Sequence, residues 1–249
     1  MAEGIFKGKV AIVNAAAGSG IGAALVHAFL DRGAAVMASD RSASRIARLQ
    51  DNLVSRYEPS RFLTLTVDGS DEDAVCDSLT QTHEKFGRID KLVNNIGLNQ
   101  LSPIATTSLQ AWSTVIGVSL TSHFLHIKHA WPYLLQSDDA SIVNISSLAG
   151  ERPTAFGEAA YAAAKAGTLG LTRAAAAEGS PTIRVNAVMP GLIWNENLSK
   201  AVAQDYIDAY RSRSPLGRMG TPQEVADVVM FLSSSASAHV SGEVIRVAC

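Results

Sequence analysis

Short, β-branched apolar runs alternate along this chain with longer stretches whose apolar residues fall at helical spacing. A continuous apolar run is how a strand reads when both of its faces are buried. Parallel strands also need crossover connections, which helices usually supply. The alternation therefore predicts an α/β fold, a doubly wound parallel sheet of about seven strands with helices on both faces. Strands are expected at Val10–Val13, Ala35–Ala38, Phe62–Val67, Lys91–Asn94, Ser141–Ile145, Arg184–Val188 and Gly242–Val247. Helices are expected near Ile21–Arg32, Ser44–Ser55, Glu72–Phe86, Leu109–Leu135, Ala159–Glu178 and Gln223–Leu232. Thr221-Pro222-Gln223-Glu224 has the order of a capping box, and Thr107-x-x-Gln110 and Ser70-Asp71-Glu72-Asp73 also read as helix starts.

With 249 residues, a single domain spanning 1–249 is expected. A net charge of -2 without blocks of like charge offers no footprint for nucleic acid or an anionic membrane. No apolar run reaches the ~18 residues a membrane span needs. Met1 to Val10 lacks the basic-then-apolar layout of a signal peptide. Two cysteines, Cys76 and Cys249, make no disulfide framework, and neither sits in a metal-ligand cluster. The expectation is a soluble cytoplasmic protein with small-molecule partners and no metal. Residues 191–215, with Trp194, Asn195, Glu196, Tyr206 and Tyr210, form the longest stretch without a strand and read as a segment covering a substrate.

The first expected strand runs into Gly18-Ser19-Gly20-Ile21-Gly22 and then a helix. Glycines let backbone N–H groups approach a pyrophosphate, and the helix N-terminus adds partial positive charge, so this context suits a Rossmann-type dinucleotide site. The same glycines would also suit an ordinary tight turn. Asp40 follows about twenty residues on, where a carboxylate accepts from an adenosine ribose and repels a 2′-phosphate. That favours NAD, with NADP as the alternative because Arg41 could instead bind the phosphate.

A second constellation is Ser146-Ser147 after the fifth strand, with Tyr161-x-x-x-Lys165 on the next helix. The i, i+4 spacing puts Tyr161 and Lys165 on one face. A phenol is a poor base at neutral pH, and a nearby ammonium favours its phenolate. A solvated surface pair would look the same; the upstream serine at a strand end argues for chemistry.

Together these residues resemble the short-chain dehydrogenase/reductase family, of the compact type that includes 3-oxoacyl reductases and secondary-alcohol dehydrogenases. The likeness takes in the glycine turn, Asp40, Asp68, Asn94-Asn95-Ile96-Gly97, Ser147, Tyr161, Lys165, Arg184-Val185-Asn186-Ala187, Pro190-Gly191 and the segment Pro215 to Ala226. It implies that Tyr161 is the general acid/base, that Lys165 lowers its pKa and holds the nicotinamide ribose, and that Ser147 bonds the substrate oxygen. It also implies that Asp68 and Asn94 flank the adenine side, that Gly97 belongs to the cofactor site, and that Pro190, Gly191 and Ile193 border the nicotinamide. A homotetramer built on the two long central helices is implied as well.

The chain departs from the family pattern in several places. The glycine turn opens on Asn14-Ala15-Ala16 with one extra residue, and Ser119 stands where an Asn is usual, so any water relay through it must be rearranged. Asn195 replaces a Thr, the chain ends Val247-Ala248-Cys249, and an insertion falls near residues 151–158. The leading expectation is hydride transfer between a secondary alcohol and a ketone. The alternative is a nucleotide-binding sensor or structural protein with weak or no turnover. Leu98, Phe156, Trp194 and Leu198 suggest an apolar substrate wall, with Gln100, Glu151 and Arg152 as polar candidates.

Overall fold

The computed structural model describes residues 4–154, 157–195, 198 and 204–248. Seven strands form one sheet: β1 (Val10–Val13), β2 (Ala35–Asp40), β3 (Phe62–Thr66), β4 (Lys91–Asn94), β5 (Ala140–Ile145), β6 (Ile183–Pro190) and β7 (Val244–Val247). Every pairing is parallel, and the order is β3-β2-β1-β4-β5-β6-β7. The order reverses between β1 and β4, and a crevice opens beyond the C-terminal strand ends at such a point.

The strands are apolar throughout because both faces are covered. Ala11 and Val13 of β1 join one core cluster, while Ile12 between them joins the other, as the two-residue period of a strand demands. The first cluster takes in α1 (Ile21–Asp31), α2 (Ala43–Val54) and a C-terminal helix, Pro222–Ser233. The second takes in α3 (Glu72–Phe86) and the long helices that follow β4 and β5.

Some of the expected elements differ for local reasons. The helix expected over Leu109–Leu135 is broken into α4 (Leu109–Ile116), a π-helical turn (Gly117–Thr121) and α5 (Ser122–Leu134). Its N-cap is Ser108, whose hydroxyl accepts from Ala111 N–H, while Thr107 Oγ1 donates to Pro103 O at 2.9 Å. β2 runs two residues past Ala38, so Asp40 closes the strand in register with Thr66. β7 starts at Val244 rather than Gly242, whose φ of +80° is outside strand geometry.

The helix after β5 is α6 (Ala159–Gly179). Residues 191–215 hold a helix of their own, α7 (Gln204–Arg213), tied back where Tyr210 Oη accepts from Leu192 N–H at 3.2 Å. The C-terminal helix, α8 (Pro222–Ser233), starts with the expected capping box: Thr221 and Glu224 each accept the other's backbone N–H. Phe156, Glu196, Cys249 and the side chain of Tyr206 lie outside the described residues.

Candidate active site

At the crevice, β1 delivers Asn14, whose side chain is completely buried. Its Oδ1 accepts from the N–H groups of Asn95 and Ile96 at 2.6 and 3.0 Å, and its Nδ2 donates to Asn94 Oδ1 at 2.9 Å. The exits of β1 and β4 are thereby joined across the point where strand order reverses. In the turn that follows, Ala15 takes a left-handed φ of +49°. Gly22 is required by close approach, since a Cβ there would lie 2.3 Å from Ala15 O. No side chain caps the N-terminus of α1, which leaves its first N–H groups for an anion.

A groove runs from this turn past Ala15, Gly18, Asp40, Arg41, Asp68 and Gly97. Asp40 is buried, and its Oδ1 accepts from Ser42 N–H at 3.0 Å and from Arg45 Nη2 at 2.7 Å. Arg45 was not anticipated; its place in the first turn of α2, five residues after Asp40, is the signal that would have found it. Asp68 is exposed, and bonds from the hydroxyl and N–H of Ser70 hold its carboxyl below the usual range. Ser19 is exposed on the turn, while Ile21 packs its side chain on the core.

Asn94, expected beside the adenine, does not reach the groove. It is fully buried, accepts from Asn14 and donates to Asn144 Oδ1 at 2.9 Å, and Asn144 in turn donates to Thr172 Oγ1 at 3.0 Å. These amides satisfy one another inside the sheet, where an unpaired one would be costly. Pro190 ends β6 buried, Gly191 lies so close to Tyr210 that a Cβ would sit 2.6 Å from its hydroxyl, and Ile193 bridges to Gly220.

Ser147, Tyr161 and Lys165 come together as expected from their spacing. The turn after β5 is pressed onto α6: Ser146 Oγ donates to Lys165 O at 2.8 Å, and a Cβ on Gly150 would lie 2.8 Å from Lys165 C. Ser147 Oγ accepts from Ala149 N–H at 3.2 Å and is close enough to the Tyr161 phenol to affect its ionisation. Burial raises that phenol above its ordinary pKa of 10, the nearby Ser147 hydroxyl opposes the rise, and the Glu158 charge adds to it. Lys165 is buried, which lowers its pKa to about 7. Its Nζ donates to Ile145 O at 2.8 Å and to Ile96 O at 3.3 Å, and sits 5.8 Å from the centre of the Tyr161 ring.

Ser119 sits in the π-helical turn, completely buried. Its Oγ accepts from Leu98 N–H at 2.9 Å and donates to Leu98 O at 3.2 Å. One turn on, His123 Nε2 is 2.9 Å from Ile96 O, the carbonyl that also receives Lys165. His123 was missed because the carbonyl it meets lies on the segment after β4, distant in sequence.

The enoyl-(acyl carrier protein) reductase family model matches residues 15–249. The 3-oxoacyl-(acyl-carrier-protein) reductase of Thermotoga maritima is 36% identical over 244 residues, 97% of this chain and 96% of that protein. This chain belongs to the short-chain dehydrogenase/reductase family. Other relatives act on different alcohols by name. The meso-2,3-butanediol dehydrogenase of Serratia marcescens is 33% identical over 95% of this chain and 92% of that protein. A cis-4-hydroxycyclohexanecarboxylate dehydrogenase of Sinomonas cyclohexanicum is 37% identical, covering 97% and 96%. A solved short-chain dehydrogenase/reductase of Brucella melitensis, described as glucose/ribitol dehydrogenase, superposes with a TM-score of 0.92 at 33% identity, covering 99% and 97%. The family is one of oxidoreductases that use a nicotinamide cofactor. The uncapped start of α1, the space kept by Gly22 and the carboxylate at the end of β2 fit such a dinucleotide.

Proposed function

We propose that the protein interconverts a secondary alcohol and a ketone, with NAD preferred over NADP. The observation that carries this reading is the gathering of Ser147, Tyr161 and a buried Lys165, whose Nζ lies 5.8 Å from the centre of the Tyr161 ring. A bound nicotinamide would accept or deliver the hydride. Tyr161 Oη gives a proton to the carbonyl oxygen during reduction and takes it back during oxidation. Ser147 Oγ holds that oxygen in line, and Lys165, while charged, favours the phenolate. Gly18, Ser19, Gly20, Ile21 and Gly22 cradle the pyrophosphate, Asp40 and Asp68 face the adenosine, and Gly97, Gly191 and Ile193 border the nicotinamide. Leu98 and Trp194 stand at the substrate end. We place the protein in the cytoplasm as a single-domain subunit of a homotetramer.

Tyr161→Phe keeps the ring and removes the ionisable oxygen. Turnover of an alcohol panel should fall by roughly 10²–10⁴-fold while NADH titration by fluorescence is unchanged. Lys165→Ala should also weaken cofactor binding and move the activity profile to higher pH. Full turnover by Tyr161→Phe would overturn the assignment. Cofactor binding by the unaltered protein without turnover of any alcohol or ketone would favour the sensor or structural role.

A further inference from the structure

Glu158 occupies the N-cap position of α6, one turn before Tyr161. The N-cap and N3 positions share one side of a helix's first turn, so the two side chains are neighbours. Glu158 makes no cap bond with its side chain. Its Oε2 accepts instead from the N–H and hydroxyl of Thr154 at 2.9 and 2.7 Å, and its Oε1 accepts from Asn99 Nδ2 at 3.4 Å. The segment that carries Asn99 passes the same cluster: a Cβ on Gly97 would lie 3.3 Å from Lys165 Nζ and 4.0 Å from Tyr161 Cε2. Glu158 and Asn99 therefore meet beside the reacting phenol, one from each of the segments that follow β5 and β4.

The two segments are fastened without this pair. Ser102 N–H donates to Gly157 O at 2.8 Å, and Gly157, at a φ of +83°, packs so tightly that a Cβ would lie 2.6 Å from Ser102 O. The contact between Asn99 and Glu158 is long by comparison, and a carboxylate oxygen with one distant donor retains capacity for another. Asn99 is exposed, which leaves the pair open to a small molecule. The donors on Glu158 are all uncharged, so among the described residues no cation balances it. Glu151, by contrast, is paired with Arg246 at 2.5 Å and with Arg152 at 3.7 Å. The Glu158 charge reaches the site, where it opposes ionisation of the Tyr161 phenol.

We propose that Glu158 and Asn99 form a specificity subsite, which selects uncharged secondary alcohols bearing a second hydroxyl near the reacting carbon and rejects hydroxy acids of the same size. The proposal deepens the alcohol–ketone reading above and rests on it. In the complex the second hydroxyl donates to Glu158 Oε1 and accepts from Asn99 Nδ2, replacing their long contact. A hydroxyl is both donor and acceptor, so one group satisfies both side chains. A substrate carboxylate in the same place has no proton to give Glu158, and it sets a second negative charge beside the first. Both residues act on how the substrate is held, so their effect falls on KM more than on kcat.

Steady-state oxidation of matched alcohols tests the subsite. One set is 1,3-butanediol, 3-hydroxybutanoate, which carries a carboxylate in place of the terminal CH₂OH, and 2-butanol, which lacks the second oxygen. The ring set 2-(hydroxymethyl)cyclohexanol, 2-hydroxycyclohexanecarboxylate and 2-methylcyclohexanol repeats the comparison at larger size. In the unaltered protein kcat/KM for the diol should exceed that for the hydroxy acid by at least about tenfold, with the monohydroxy alcohol between them. Glu158→Gln keeps the shape and removes the charge, so it should bring the hydroxy acid to within about threefold of the diol, chiefly through KM. Asn99→Ala should raise KM for the diol more than for the monohydroxy alcohol. The ranking in the unaltered protein decides even if a variant does not fold. Equal values, or a hydroxy acid preferred over its diol, would overturn the subsite. A loss in Glu158→Gln spread evenly over all three alcohols would do the same, since it marks a purely structural role. Turnover of other alcohols but of none of these six would also end the subsite, whereas turnover of no alcohol or ketone at all would locate the failure in the enzymatic reading.

Discussion

Asp40 shows how one neighbour changes what a residue implies. Read alone, its carboxylate repels a 2′-phosphate; in the structure, Arg45 at 2.7 Å neutralises part of that charge, and Arg41 lines the same groove. The preference for NADH over NADPH should therefore be present but modest. Asp40→Ala should narrow it and Arg45→Ala should widen it, as fluorescence titration of both reduced cofactors would show. Equal affinities in the unaltered protein would remove the basis for NAD. Ser119, the candidate relay, bonds both backbone groups of Leu98. Ser119→Ala leaves a Leu98 N–H without its acceptor, so denaturant unfolding should show a loss of about 1–3 kcal/mol.

At the scale of the element, α5 carries two buried neutral histidines. Burial lowers the pKa of His126 from 6.5 to about 4, and that of His123 well below 6.5. In the window between those values and 6.5, the unfolded chain binds protons that the folded chain excludes. Stability is therefore complete above about pH 6.5 and falls as pH drops, by up to ~1.4 kcal/mol per pH unit for each histidine. Urea midpoints at about pH 7.5 and about pH 5 should differ accordingly, and His126→Leu should remove about half of the difference. An equal slope in that variant would place the acid sensitivity elsewhere.

For the whole molecule, the outer faces of α4 and α5 expose Leu109, Trp112 and Phe124, with relative exposures of 80, 38 and 47%. Exposed apolar groups suit a partner surface, and closed symmetric assemblies are the common outcome for enzymes of this kind. Light scattering at micromolar concentration should give roughly four times the subunit mass. A monomeric mass would refute the tetramer.

The alternation of apolar runs with helical stretches was enough to specify a parallel sheet with helices on both faces, because strands buried on two sides have no other pattern. The Ser147, Tyr161 and Lys165 cluster was legible for a similar reason: a helix brings i and i+4 together, and a strand end opposite that helix supplies the serine. Contacts between segments distant in sequence had no such periodic signature. Only the parallel register of β1 against β4 makes Asn14 the link between their exits and turns Asn94 away from the groove. Only the break between α4 and α5 brings Ser119 onto Leu98 and His123 onto the carbonyl shared with Lys165. Those pairings depend on where β4 and α6 lie beside α5, which is a property of packing across the sheet rather than of any local run of residues.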